Sequence, residues 1–190
     1  RLYGDTTDGY GLAQALREAF SFEPENASIT LIGCGGAAHA AAAYFASRKV
    51  GRLFLINRTL SKAEDLAEKV RAAYGTEVEL CPIDDSAAIA DFLKHSDVAI
   101  QCTSLGLQPD APSPIDPDLL PDSIRVYDTI YKETALSRAC ARRGIPFANG
   151  LAMLLHQGAR SLEIWTRKKA PVEVMRKALN AAFAERRKHS

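Results

Sequence analysis

A glycine-rich segment follows the first run of apolar residues, and its spacing suits the binding of a phosphate group. The segment G-C-G-G-A-A at 33–38 matches the pattern G-x-G-x-x-A, with Gly33, Gly35 and Ala38 at the three small positions. The first glycine permits a tight turn, the second lets a pyrophosphate approach the backbone, and the third small residue allows close helix–strand packing. Free N–H groups at the start of the following helix, beside Gly36 and Ala37, attract anions. The segment therefore predicts dinucleotide binding, the alternative being a tight turn without a ligand.

Polar and cationic residues follow the second apolar run. Asn57, Arg58 and Thr59 stand there, and Lys62 comes one turn later. An NAD site usually has Asp or Glu at this point, which binds the ribose 2′-OH and would repel a 2′-phosphate. A guanidinium instead pairs with a phosphate and stacks on adenine, while Asn57 and Thr59 add neutral hydrogen bonds. The segment favours NADP over NAD. The alternative is that Thr59 only caps the next helix and that Arg58 is solvated.

Two further segments carry polar residues whose roles the residue types alone leave open. Asp8 precedes or begins the first predicted helix, so it is either an N-cap or a chemical group. Gln157 is a polar residue on a helix rich in Leu and Met, so it is either a surface residue or a functional one. His156 has no second histidine or acidic cluster at ligand spacing, which makes it a surface or partner residue. We predict no metal site.

The elements that must position these residues alternate between strands and helices. Each predicted strand is a short, near-continuous apolar run, which indicates a parallel sheet covered on both faces. Right-handed crossovers then give a doubly wound, Rossmann-type α/β fold: a mostly parallel six-stranded sheet with flanking hinge helices. The predicted strands are Ser28–Ile32, Arg52–Ile56, Glu77–Cys81, Val98–Cys102, Arg125–Tyr127 and Ile145–Phe147, and the predicted helices are Asp8–Phe20, Ala37–Ser47, Ser61–Ala73, Ser86–Lys94, Thr134–Arg143 and two within Asn149–Ala184.

The composition excludes several classes of protein. With 190 residues, 47% of them hydrophobic and 25% charged, the chain is a folded protein rather than a disordered one. A formal charge of +1 provides no field for general nucleic-acid binding. No apolar run approaches the roughly 20 residues that span a bilayer, and no signal peptide is visible. The four scattered cysteines are predicted to be reduced thiols in a cytoplasmic protein. The sequence gives no indication of the oligomeric state.

Taken together, these segments resemble the shikimate dehydrogenase family. The family's motifs find counterparts in order along nearly the whole chain: G-x-N-T-D-G at 4–9, G-x-G-G-A at 33–37, N-R-T at 57–59, A-T-S-x-G at 102–106, D-x-x-Y at 128–131, N-G-x-x-M-L-x-x-Q-G at 149–158 and E-x-W-T at 163–166. One departure is Thr6, which stands where the family has Asn. A local contact could therefore differ, but Asp8 stays in place.

The resemblance implies an NADP-linked oxidoreductase that reversibly reduces 3-dehydroshikimate to shikimate in aromatic amino-acid biosynthesis. Asp8 occupies the position of the family's catalytic Asp, which works with a lysine and holds a ring hydroxyl. Tyr131 and Gln157 resemble the residues that contact the small-molecule substrate. The nicotinamide side of the cleft would include Thr103, Ser104, Leu105 and Gly150.

The resemblance also implies a division of the chain. The family's N-terminal substrate domain, which carries the catalytic lysine, has no counterpart among these residues. We expect residues 1–24 to lead from such a domain, 25–150 to form the NADP-binding domain and 151–190 to pack back toward the substrate domain. The isolated chain would then bind NADPH without turnover. The alternatives are a quinate/shikimate dehydrogenase and a non-catalytic NADP-binding regulatory homologue.

Overall fold

Six parallel strands form one sheet in the computed structural model, which describes residue 4, residues 6–108 and residues 110–188, the last three by backbone alone. The strands are β1 (Ser28–Ile32), β2 (Arg52–Asn57), β3 (Glu77–Pro82), β4 (Val98–Gln101), β5 (Arg125–Asp128) and β6 (Phe147–Asn149). Their order is β3-β2-β1-β4-β5-β6, and every neighbouring pair is parallel. The order reverses between β1 and β4, and ligands of open α/β sheets bind outside the carboxyl ends of the strands at such a point. The predicted doubly wound fold is confirmed.

Seven helices of the described chain cover the sheet, together with a short 3₁₀ turn at Pro117–Leu119. They are α1 (Asp8–Phe20), α2 (Gly36–Ser47), α3 (Leu60–Tyr74), α4 (Ser86–Lys94), α5 (Ala135–Arg143), α6 (Leu151–Thr166) and α7 (Val172–Lys188). Local sequence explains several ends. Thr134 and Ser137 form a reciprocal capping box at the start of α5, and Gly144 ends that helix at a φ of 69°.

The two faces of the sheet bury separate apolar clusters. One cluster joins the sheet to α1, α2, α3 and α6, and it includes Leu12, Phe45 and Met153. The other joins the opposite face to α4 and α5 and includes Phe92 and Leu136. Burial on both faces explains why the strands are apolar at nearly every position. In the described part of the chain, no helix is both long enough and apolar enough to cross a membrane.

Most predicted bounds lie within one residue of those in the structure, but α7 continues to Lys188, the last strand is displaced, and the N-cap of the first helix was misassigned. The last strand was expected at Ile145–Phe147, but β6 begins at Phe147 and ends at Asn149. Ile145 is 4% exposed and packs in the cluster beside α4 and α5, so its apolar character reflects packing of the connection before the strand. The first helix has Thr7 at its N-cap, and Asp8 is its first helical residue. The interpretation of Asp8 as the N-cap is therefore wrong.

Candidate functional site

The first glycine of the loop after β1 is required by the fold. Gly33 has a φ of +95°, a conformation that side chains rarely adopt. A Cβ at this position would lie 2.6 Å from Thr103 Cγ2, because the loop after β1 rests directly on the loop after β4. The Gly33 N–H donates to the Ile56 carbonyl at 2.7 Å, which also ties this turn to β2.

The next two glycines have no such packing requirement. Gly35 is the N-cap of α2 with a φ of −90°, and Gly36 is the first residue of that helix. A Cβ at either position would meet no heavy atom of the described residues within 4 Å. Both glycines are exposed beside the free N–H groups of the helix start. The backbone here is therefore open to a phosphate, as the sequence predicts.

Asn57 connects the glycine loop to the loop after β2. Its Oδ1 accepts from the Cys34 N–H at 3.1 Å, and its Nδ2 donates to the Thr59 carbonyl at 2.7 Å. The sequence suggested a direct bond from this side chain to a ligand, but the observed bonds instead position the loops on either side. A direct contact stays a prediction. Cys34 is 4% exposed, and burial raises the pKa of its thiol to about 11, so it fills the loop rather than acting as a nucleophile.

The cations after β2 are available to an anionic ligand. Arg58, Thr59 and Lys62 are exposed at the carboxyl edge of the sheet, next to the glycine loop. Within the described chain, neither Arg58 nor Lys62 pairs with a carboxylate, whereas Arg52 pairs with Glu77 at 2.9 Å. Thr59 lies at the N-cap of α3, but among the described residues its hydroxyl makes no cap hydrogen bond. Thr59 thus occupies the N-cap position with its hydroxyl unused by the helix, and its contact with a ligand stays a prediction.

The loops after β4, β5 and β6 meet at the same edge. Ser104 is exposed, and the Thr103 Oγ1 accepts from the Leu105 N–H at 3.1 Å. A Cβ at Gly150 would lie 2.0 Å from the Thr129 carbonyl oxygen, so glycine lets the start of α6 pack against the loop after β5. The sheet thus brings Thr103, Ser104 and Gly150 to the edge that also holds Gly35 and Arg58.

Asp8 and Gln157 lie on facing helices. α1 packs between α2 and α6, and small residues allow both approaches. A Cβ at Gly9 would lie 2.6 Å from the Ala40 carbonyl oxygen, and a Cβ at Gly11 would lie 2.8 Å from the backbone nitrogen of Gln157. Asp8 is one turn before Gly11 and next to the contact with α2, which starts in the glycine loop. Asp8 thus begins the helix that lies between α2 and α6. Asp5, within the 4–9 motif, lies outside the described residues.

Tyr131 follows β5 and is half-buried against the last helix. Its ring meets the Phe183 ring of α7 edge to face, with centroids 5.7 Å apart. An ion pair between Arg176 and Glu18, at 2.8 Å, attaches α7 to α1. The Glu18 carboxylate also lies 2.9 Å from His156 Nε2, within hydrogen-bond distance. His156 is thus a partner residue, as predicted. The sequence did not identify Glu18 or Arg176.

The burial and bonding of two polar residues at strand ends were not predicted, although one of them, Asp128, opens the D-x-x-Y segment. Gln101 ends β4 and Asp128 ends β5, and both are 0% exposed. Burial raises the pKa of the Asp128 carboxyl, although hydrogen bonds from the Ile130 N–H and the Thr134 hydroxyl oppose this. A signal was present for Gln101, which is the single polar residue of β4, whereas β5 also begins with a charged residue, Arg125.

Comparisons with known proteins agree with this architecture. The family model described as "Shikimate / quinate 5-dehydrogenase" matches residues 14–107, and the model "Shikimate 5'-dehydrogenase C-terminal domain" matches residues 150–179. A shikimate dehydrogenase (NADP(+)) from Symbiobacterium thermophilum is 40% identical over 189 residues, covering 96% of this chain and 63% of that protein.

Solved structures give the same result. Shikimate 5-dehydrogenase from Listeria monocytogenes, in complex with shikimate and NAD, superposes with a TM-score of 0.87 at 30% identity, covering 93% of this chain and 63% of that one. Quinate dehydrogenase from Corynebacterium glutamicum, in complex with NAD, has a TM-score of 0.81 at 25% identity, covering 94% and 63%.

The strand order and the glycine loop define a Rossmann-type α/β protein. With both family models matched in order along the chain, the protein belongs to the shikimate dehydrogenase family. The chain spans 63% of the length of the Symbiobacterium relative.

Proposed function

We propose that this chain is the NADP-binding part of a shikimate dehydrogenase, which reversibly reduces 3-dehydroshikimate to shikimate with NADPH. One observation carries the proposal: the exposed Arg58 and Lys62, without a carboxylate partner among the described residues, follow β2 at the sheet edge that also holds the glycine loop. The NADP-dependent relatives support the same choice of cofactor.

The residues present fit NADP. Gly35 and Gly36 leave the start of α2 open for a pyrophosphate, since a Cβ there would meet no described atom within 4 Å. Arg58 and Lys62 would pair with the 2′-phosphate, and Thr59 would add a neutral hydrogen bond. Asn57 would hold the loops after β1 and β2 in position through its hydrogen bonds to Cys34 and Thr59. When bound, NADPH supplies the hydride.

The chain's own residues would hold the substrate and manage its proton. The Asp8 carboxylate would keep a neighbouring lysine charged and oriented, so that the ammonium can protonate the developing alkoxide. Gln157, on the helix facing Asp8, and Tyr131 would contact ring hydroxyls. We infer that turnover needs the portion of the relatives that this chain does not match. The division into segments 1–24, 25–150 and 151–190 is part of the same proposal.

The cofactor assignment is tested by titrating the 190-residue chain with NADPH and with NADH. Arg58→Ala should weaken NADPH binding by about tenfold to a hundredfold, because it removes charge-assisted hydrogen bonds to a phosphate. NADH, which has no 2′-phosphate, should bind the variant and the wild type alike. The control is Arg142→Ala, which removes an exposed arginine on α5. An equal loss for both cofactors would refute the 2′-phosphate assignment and favour an NAD-using quinate/shikimate dehydrogenase.

A further inference from the structure

We propose that Gln101 and Asp128 are positioning residues that hold the nicotinamide end of the cofactor site in shape. The inference rests on the proposed function, since it assigns that end of the site to the loops after β4 and β5. Neither side chain reaches the protein surface, because both are 0% exposed. Each acts through the loop that follows its own strand.

Gln101 folds the loop that carries Thr103 and Ser104. Its Oε1 accepts from the Thr103 N–H. Its Nε2 donates to the Leu105 carbonyl at 2.9 Å and to the Thr103 carbonyl at 3.3 Å. One side-chain amide thus binds three backbone groups within five residues of chain. Buried polar groups with several partners specify one local conformation, which is what a binding loop needs.

Asp128 folds the loop that leads to Tyr131 in the same way. Its Oδ1 accepts from the Ile130 N–H at 3.0 Å, and its Oδ2 accepts from the Thr134 hydroxyl at 2.9 Å. That hydroxyl also accepts from the Ser137 N–H at 3.1 Å, so its single proton is committed to the carboxylate. The Asp128 carboxylate therefore ties the strand end to the start of α5.

The two loops are coupled to each other and to the rest of the edge. Gln101 and Asp128 are register partners in neighbouring strands, and the Thr129 N–H donates to the Gln101 carbonyl at 3.0 Å. A Cβ at Gly106 would lie 2.7 Å from Thr134 Cγ2, so the end of the first loop packs on the second. The Ile130 carbonyl accepts from the Gly150 N–H at 3.2 Å, which extends the connection to α6.

Loss of either side chain should free a loop rather than unfold the protein. Ser104 and Leu105 are exposed, so the backbone groups that Gln101 binds can be hydrated when the loop moves outward. The apolar clusters on both faces of the sheet stay intact. Binding should therefore weaken for a ligand that needs the loop in its native position, and not for a ligand that binds elsewhere.

The test compares NADPH with adenosine 2′,5′-bisphosphate, which carries the 2′-phosphate and adenine but no nicotinamide. Both ligands are titrated into the 190-residue chain bearing Gln101→Met or Asp128→Asn. We expect NADPH to bind about tenfold more weakly, as lost loop hydrogen bonds imply, while the bisphosphate binds as it does to the wild type. Thr30→Val is the control: it removes a hydrogen bond of another fully buried side chain, to Ser96 at 2.7 Å, away from these loops. It should leave both affinities unchanged.

Each outcome decides one question. A variant that weakens both ligands equally, or neither, overturns the positioning role. If the wild-type chain binds neither ligand, the proposed function itself fails. Should Asp128→Asn not fold, Thr134→Val removes the hydroxyl donor while leaving the carboxylate, and it carries the same expectation for the two ligands.

Discussion

The glycine loop offers a direct test of which glycines serve the fold and which serve a ligand. Gly33 has a positive φ and touches Thr103, whereas Gly35 has an ordinary φ and open space at its Cβ position. Substitution by alanine should therefore affect different properties at these two positions, although they are only two residues apart. Gly33→Ala should reduce stability, and Gly35→Ala should reduce binding alone.

The magnitudes follow from the two environments. At Gly33 the left-handed backbone costs an alanine about 1–2 kcal/mol. The 2.6 Å approach to Thr103 Cγ2 adds overpacking of about 1–3 kcal/mol. The melting temperature should fall by roughly 10 °C. At Gly35 the weaker N-cap and the stiffer unfolded chain oppose each other, so stability should change by less than about 1 kcal/mol.

The assay combines thermal unfolding with NADPH titration of each variant. Gly35→Ala should weaken NADPH binding on the order of tenfold or more, because its methyl group occupies the approach of the pyrophosphate. A Gly33→Ala variant that melts with the wild type would show that the two loops do not touch as described. A Gly35→Ala variant with unchanged NADPH affinity would show that this glycine does not face the cofactor.

Two further predictions concern titratable groups. Burial raises the pKa of Glu18, but hydrogen bonds from His156 and Arg176 together lower it below its usual 4.5. The resulting stability is present above that value and is lost as the pH falls through the lowered pKa. Glu18→Gln should thus lower the free energy of unfolding by less than about 1 kcal/mol at pH 7. In urea denaturation this difference between variant and wild type should shrink below pH 4.5. Glu64→Gln, at an exposed glutamate on α3, is the matched control. Asp8→Asn in an active form of the protein should reduce kcat by about a hundredfold or more; unchanged turnover would remove Asp8 from the mechanism and favour a non-catalytic role.

The sheet was predictable because both of its faces are covered. A strand buried on both sides must be apolar at nearly every position, and the helices between such strands show their own periodicity. The same reasoning misplaced β6. Ile145 is buried before the strand begins, and burial alone does not distinguish a strand from an apolar connection.

The site was predictable where its chemistry is local. The glycine loop and the residues at 57–62 are each continuous in sequence, so residue type and spacing were enough to suggest a phosphate and its counter-charge. The bonds of Asn57 were not predictable, because they depend on how closely the loops after β1 and β2 approach each other. Gln101 and Asp128 share that difficulty: a polar residue at a strand end is visible in the sequence, but its partners depend on the path of the next loop.

The relation between Asp8 and the rest of the site depends on contacts distant in sequence. Glu18 meets His156 across 138 residues and Arg176 across 158 residues, so no local pattern indicates that these helices touch. The small residues of α1 are the structural reason that they can. Gly9 lets α1 approach α2, and Gly11 lets it approach α6 on its opposite face. A side chain at either glycine would push α1 away from one neighbour, and Asp8 would then move relative to the glycine loop or to Gln157.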